Sequence, residues 1–228
     1  RFEILPIVMA ASYSDVPAAH IEGGDLSGML DNKVRYAISA LSDLHFTTNE
    51  DAKKRVEAMG KDNVYNFGSL DVEYAKSINV DGVYKNYVVV LHHPVKGENP
   101  AIIDKIIKEV FDGEVIIIKS NSDEGESYGD REFSPEEYIK LIAGAKCLVG
   151  NSSSFIKEAS IFGTSVTLMG SRQEGRLLTS NVDAVPFNEE EIRESLKWQI
   201  GNHYEPDFTY FKENTAQNIS EKIREYLI

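Results

Sequence analysis

The chain has 228 residues and 42% hydrophobic content, enough for one large domain or two modest ones with ordinary packed cores. Its formal net charge of −13 and the lack of any basic cluster argue against a nucleic-acid partner, although backbone amides and one or two arginines would still hold a small phosphorylated ligand. No apolar run approaches the roughly 20 residues that span a bilayer, and no basic leader with an apolar signal segment opens the chain, so a cytoplasmic protein with no membrane partner is expected.

The first residue is Arg1 rather than an initiator methionine, which predicts a product that was processed, cut or taken from something longer. The stretch "FEILPIVMAA" then carries Phe2, Leu5, Val8 and Met9 at helical spacing, and "VPAAHI" reads as a short buried strand delivering His20 to Glu22 at its end. Residues 34–41 read as a helix, "DLHFTT" as a strand, and "NEDAKKRVEAMG" as a helix capped by Asn49 and closed by Gly60. "NVYNFG" is the next strand, followed by a polar, poorly periodic stretch over 72–86. Then come the strand "YVVVLHH", a helix over 100–111, the strand "EVIIIK", a polar loop over 120–134 and a helix over 135–143. "CLVG" is a strand leading into the helix "SSFIKEASIFG", "SVTLMG" is the last expected strand, and a helix over 215–227 is expected to cross back onto the first part of the chain. Cys147, the single cysteine, falls inside "CLVG", where it reads as a small core residue.

Strands rich in valine and isoleucine, each followed by a helix, indicate βαβ units and a parallel sheet covered on both faces, so the fold class is α/β. A break near residues 70–85 separates two Rossmann-like blocks.

Ligands of open α/β sheets bind outside the carboxyl ends of the strands. That rule selects His20, Glu22, Gly23 and Gly24; His92 and His93; Ser120, Asn121 and Asp123; Asn151 to Ser154; and Ser171, Arg172 and Gln173. In "GNSSSFIKEASIFG" a strand ends at Gly150 and three serines fall at a helix start, an arrangement suited to a phosphate. Glu158 lies one turn beyond Ser154, where it could accept hydrogen bonds from both hydroxyls of a ribose. The serines serve equally well as plain helix caps, and Glu158 as a solvated charge. Of the adjacent histidines only one faces a cleft, because neighbouring strand residues point to opposite faces, and His93 beside Pro94 is the preferred one. Arg172 in "GSRQEGR" could bind a diphosphate or lie in solvent. The stretch "HIEGGDLSGMLDNKVR" places Glu22, Asp25 and Asp31 on a loop bearing Gly23, Gly24 and Gly28, which suits either an acid and base pair or an acidic surface loop. Neither a G-x-G-x-x-G fingerprint nor a P-loop is present.

Taken together, "HIEGGD", "LDNKVRYAISALSDLHF", "HHPV", "GNSSSFIKEASIFG" and "GSRQEGR" resemble the UDP-N-acetylglucosamine 2-epimerase family, in particular its hydrolysing branch, which forms N-acetylmannosamine and UDP for sialic-acid-type sugars. The "EGGD" continuation favours that branch over the non-hydrolysing one. The resemblance implies two Rossmann-like domains of the glycosyltransferase-B type: 1–72 as the C-terminal part of an incomplete first domain, 73–205 as the UDP-binding domain, and 206–228 as the returning helix. It implies catalytic roles for Glu22, Asp31, Arg35 and His93. Gly150, Asn151, Ser152, Ser153, Arg172 and Glu158 are implied as substrate contacts, with Ser152, Ser153 and Arg172 on the diphosphate and Glu158 on the ribose.

The implied reaction removes the C2 proton, expels UDP to leave a 2-acetamidoglucal, and adds water with inversion at C2. A UDP-sugar is the implied partner, no cofactor or metal is expected, and the family's frequent dimers leave a homodimer open. Two departures stand out. Asn32 occupies the place of a second family aspartate, and the aspartate of the family's glycine-aspartate-arginine-phenylalanine motif would fall immediately before Arg1, which predicts a truncated fragment. A UDP-binding remnant without catalysis and a glycosyltransferase of the same fold are the alternatives.

Overall fold

The computed structural model describes residues 3–28, 31–83, 86–120 and 127–228. The chain divides into two units: the first comprises Arg1–Tyr74, Glu174–Leu177 and Phe208–Ile228, the second Ala75–Gln173 and Leu178–Asp207.

The first unit is built on α1 (Ile4–Tyr13), β1 (Ala19–Ile21), α2 (Asp31–Leu41), β2 (Leu44–Thr47), α3 (Glu50–Glu57) and β3 (Val64–Asn66), with α4 (Leu70–Ser77) carrying the chain out of it. The three strands are parallel in the order β1-β2-β3, with His20 opposite His45 and Phe46 opposite Tyr65. Asn49 caps α3 by accepting from the Ala52 N–H at 2.8 Å. The C-terminal helix (Thr215–Leu227) covers this sheet: Ile219 joins Leu44 and Phe46 in the core, and the Thr215 hydroxyl donates to the Phe67 carbonyl at 2.6 Å. Phe46, Tyr65 and Phe67 stack beneath it at centroid separations of 5.6 to 6.0 Å. Helix α1 is almost wholly apolar yet buries only Val8, leaving Ile4, Ile7 and Met9 exposed.

The second unit holds β4 (Tyr87–Leu91), α5 (Ala101–Val110), β5 (Glu114–Ile117), α6 (Pro135–Gly144), β6 (Cys147–Gly150), α7 (Ser153–Lys157), β7 (Val166–Met169), β8 (Val182–Val185) and α8 (Glu189–Ile200); the C-terminal helix is therefore α9. Its sheet is wholly parallel in the order β5-β4-β6-β7-β8. Every residue of β4, β6 and β7 is buried, Thr167 of β7 included, as strands covered on both faces require. Val88, Val90, Cys147, Val149 and Met169 pack with Ile103, Ile106 and Ile107 of α5 and with Ile192 and Leu196 of α8. The Ser134 and Glu137 capping box, with Pro135 just inside, starts α6.

The fold differs from the sequence expectation in several places. Strand β1, expected to be buried, is largely exposed, and Asp31, expected on the glycine-bearing loop, opens α2. Helix α4 occupies part of the stretch read as polar and unstructured, because only Val72 and Ala75 bury fully and so short an apolar face shows little periodicity. The sheet does not end at β7: β8 and α8 follow. Strand β8 is a partly exposed edge strand, "VDAV", whose aspartate breaks the apolar run. The segment "SSFIKEASIFG" is not one helix but five residues of α7 followed by a 3-10 turn at Ala159–Phe162, closed by Gly163 at φ +65. No helix among the described residues is long and apolar enough to cross a membrane.

Candidate functional site

In the first unit the site grows from the carboxyl end of β1. The Glu22 N–H continues the ladder past Ile21 by donating to the Phe46 carbonyl at 2.7 Å. Glu22 itself sits at φ +61, a left-handed conformation that costs a non-glycine residue about 1–3 kcal/mol and is kept only where the surroundings enforce it. Ser69 contributes to that enforcement, donating to Glu22 Oε1 at 2.6 Å. Only glycine fits at the next two positions: a Cβ on Gly23 would meet His20 Nδ1 at 2.7 Å, and one on Gly24, at φ +82, would meet the Ala52 carbonyl oxygen at 2.3 Å.

The loop beyond is held by side chains. Asn32 accepts from the Ser27 N–H at 2.9 Å and donates to the Ser27 carbonyl, while Arg35 donates to Asn32 Oδ1 at 2.9 Å and to the Asp25 carbonyl at 2.7 Å. An aspartate at position 32 could accept these bonds but could not donate to Ser27, so the amide closes this turn as a carboxylate would not. His20, Glu22, Asp31 and Arg35 then line one small pocket together with Ile21, Val34 and Ile38. The expected residues Glu22, Asp31 and Arg35 are thus brought together.

The electrostatics of that pocket follow from burial. His20, whose Nδ1 lies 2.9 Å from the Ser39 hydroxyl, is lowered from 6.5 to about 4, chiefly by desolvation and then by His45 and Arg35 nearby. It is therefore a neutral imidazole at working pH. Arg35 is lowered by burial and by Arg176, against the opposing pull of Asp25 and Asp31. Two carboxylates, a neutral imidazole and a guanidinium on one concave surface can remove a proton, return one, and stabilise developing negative charge.

In the second unit the strand order reverses between β4 and β6, since the crossover through α5 leads to β5 on one side of β4 and that through α6 to β6 on the other. Such a switch point opens a crevice at the carboxyl ends of the two strands, which are Leu91 and Gly150. Gly150 is at φ +151, and a Cβ there would come within 1.9 Å of the Leu91 carbonyl oxygen. Asn151 spans the crevice floor. Its Oδ1 accepts from the His93 N–H at 2.7 Å, its Nδ2 donates to the His93 carbonyl at 2.9 Å, and its own carbonyl accepts from Gln173 at 2.9 Å and Arg172 at 3.3 Å. Gly150, Asn151, His93 and Arg172 therefore form one cluster. The two histidines follow the end of β4 rather than lying on it, so strand alternation does not govern them; His92 is wholly buried against Phe187, whereas His93 is only partly buried.

Ser152, the N-cap residue of α7, makes no side-chain cap bond. Its Oγ lies 2.8 Å from Ser154 Oγ, which in turn bonds the Tyr138 hydroxyl. Ser153 opens α7 and Glu158 follows its last residue. Burial and the neighbouring Glu158 raise the Tyr138 phenol. Asn121 and Asp123 lie outside the described residues. Among those described, no group of three or more His, Cys, Asp or Glu side chains could hold a metal ion.

Sequence reasoning singled out neither Arg176, which pairs with Asp25 at 2.7 Å, nor Ser69 and Tyr138. Arg176 does stand in "GSRQEGR", and Asp25 in the glycine-bearing loop, but nothing in either motif reveals a partner 151 positions away.

The family model described as UDP-N-acetylglucosamine 2-epimerase matches residues 1–224. This chain belongs to that family. The polysialic acid biosynthesis protein P7 of Escherichia coli is 28% identical to it, across the whole chain and 68% of the relative. The GDP/UDP-N,N'-diacetylbacillosamine 2-epimerase (hydrolyzing) of Campylobacter jejuni is 29% identical over 80% of the chain and 57% of the relative. The epimerase-family chain thus spans between about half and two thirds of these proteins. Its fold is that of solved UDP-GlcNAc 2-epimerases. The Neisseria meningitidis enzyme bound to UDP-GlcNAc superposes with a TM-score of 0.75 at 16% identity, covering 97% of this chain and 73% of that one. The Methanocaldococcus jannaschii enzyme in complex with UDP-GlcNAc and UDP gives 0.74 at 17% identity, covering 98% and 73%.

Proposed function

We propose that this chain carries the catalytic pocket and the UDP site of a hydrolysing UDP-N-acetylglucosamine 2-epimerase, which turns a UDP-2-acetamido sugar and water into the C2-epimeric free sugar and UDP. The observation that carries the reading is the convergence of Glu22, Asp31 and Arg35 on one pocket. The "EGGD" continuation supports the hydrolysing branch, as do relatives whose names include the word hydrolyzing.

In this reading one of the two carboxylates takes the C2 proton as the bond from C1 to the diphosphate oxygen breaks, leaving a C1=C2 double bond and free UDP. The second carboxyl group, in its protonated form, then delivers its proton to the opposite face of C2 while water adds its oxygen to C1, and the proton that water loses restores that acid. Arg35 offsets negative charge as it develops. The departing UDP is held in the second unit, its diphosphate by Ser152, Ser153 and Arg172 beside His93, and its ribose by Glu158.

Proton NMR of the chain with UDP-GlcNAc in deuterated water tests the proposal. Free UDP with N-acetylmannosamine deuterated at C2 is the expected result, and Glu22→Gln should lower turnover by about 10²–10⁴-fold, the usual contribution of a positioned acid or base. Formation of a C2-epimerised sugar still joined to UDP would move the chain to the non-hydrolysing branch. Saturable UDP binding with no turnover would instead leave a binding remnant.

A further inference from the structure

Arg176 and Asp25 form an ion pair at 2.7 Å with side chains only 8% and 6% exposed, and both belong to the first unit. Removing two charges from water is costly, and apolar side chains of similar size often serve stability as well or better. The surroundings of the pair point to a task beyond stability. Asp25 Oδ1 also accepts from Asn49 at 2.9 Å and Thr48 at 3.2 Å, so the carboxylate is held from three directions. Its backbone carbonyl accepts from Arg35 at 2.7 Å, and the preceding carbonyl of Gly24 accepts from Arg55 at 3.2 Å. Three guanidinium groups thus converge on two consecutive residues, immediately after Glu22 and its glycine and shortly before Asp31.

We infer that Arg176 is a positioning residue for the pocket. By gripping the Asp25 carboxylate it fixes the Asp25 peptide, and through that carbonyl it sets the guanidinium of Arg35 and the path of residues 22–27. Arg176 is not itself among the side chains lining the pocket. Its turnover consequence rests on the epimerase reading; its ordering of the loop does not.

The test uses the full chain with Arg176→Ala and Arg176→Lys, two readouts, and added guanidinium at concentrations far below denaturing ones. Hydrogen exchange is followed at the Glu22 and Ser27 amides, which donate to the Phe46 carbonyl and to Asn32 Oδ1. Arg176→Ala should speed exchange at both by about tenfold or more while the β4 and β6 amides keep their protection. It should lower kcat by about 100-fold, the usual effect of a small misplacement, with KM and UDP affinity near the parent values. Guanidinium should restore both readouts, because the truncation leaves a site of its own shape beside Asp25. Arg176→Lys keeps the charge without the planar fork and should fall between; it also carries the test if the alanine variant does not fold.

Unchanged exchange at Glu22 and Ser27 would overturn the inference. So would a loss of protection spread evenly through β2 and indifferent to guanidinium, which is the behaviour of a plain structural bridge. A loosened loop with unaltered kcat would overturn the positioning role. If the parent chain itself gave no turnover, the epimerase reading would fail on its own, and exchange with guanidinium rescue would still decide whether Arg176 sets the loop.

Discussion

Replacing His20 by asparagine removes a titrating ring while keeping a nitrogen near the position from which Nδ1 meets Ser39. The imidazole is lowered from 6.5 to about 4 in the fold, mainly by burial, so between those values the unfolded chain binds the proton and the folded chain does not. Stability of the first unit therefore rises with pH across this window and is lost as the pH falls through it. Integrating the difference in proton binding gives about 2 kcal/mol lost between pH 7 and pH 5 from this one residue. His45, opposite it on β2, is lowered in the same direction by its own burial and by Lys61, so the parent loses somewhat more than His20 alone supplies. The informative quantity is the difference between parent and variant. Native-state hydrogen exchange at the β2 amides, corrected for intrinsic rates at each pH, should show the parent weakening by about 2 kcal/mol more than His20→Asn over that interval. An NMR titration of the His20 ring should find its midpoint well below the usual histidine value. Equal losses in parent and variant, or a ring titrating near 6.5, would refute the argument that burial keeps this imidazole neutral in the pocket.

Three further outcomes follow from the second unit. Gly150→Ala places a Cβ 1.9 Å from the Leu91 carbonyl at φ +151, and should cost about 3 kcal/mol or more in urea denaturation and abolish UDP binding; parent-like stability would contradict the close approach of β4 and β6. Asn151→Asp loses the donor to the His93 carbonyl and sets a carboxylate against it, which should cost about 1–3 kcal/mol and weaken UDP binding by roughly tenfold in calorimetry. An unchanged affinity would separate the Asn151 clamp from the UDP site. Cys147 is fully buried and its thiol is pushed up to about 11 by that burial, so a thiol reagent at pH 8 should modify it only at the rate at which the unit opens, faster as urea is added; rapid labelling of the native chain would contradict it.

What could be read in advance was whatever depends on neighbours in the chain. The mostly apolar runs of β4, β6 and β7, with no alternating polar face, are what strands covered on both faces carry, and they announced a parallel sheet. Asn49 before "EDAKKRVE" announced a helix start, since a cap is a local bond. Glu22 and Asp31 stand on one short glycine-bearing stretch that reads equally as an acid and base pair or as an acidic surface, and it is the family resemblance that implies Arg35 beside them. Where the local signal is thin the reading failed: α4 buries too few residues to show a period, and β8 is an edge strand whose aspartate interrupts it.

The rest is hidden for a different reason. Asp25 looks like one acidic residue among several on a glycine-rich loop, and Arg176 like the second arginine of a polar loop; each is what a solvated surface would carry. Only the fold returns Glu174–Leu177 to the first unit and buries the two charges against each other, with Arg35 and Arg55 on the adjoining carbonyls. A contact of that kind leaves no periodicity, no cap and no turn signature, because neither partner needs a particular neighbour in sequence. The residues that face a substrate must keep their chemical type and so remain visible as motifs. Those that aim them are constrained by geometry, and geometry is what a linear reading of the chain loses first.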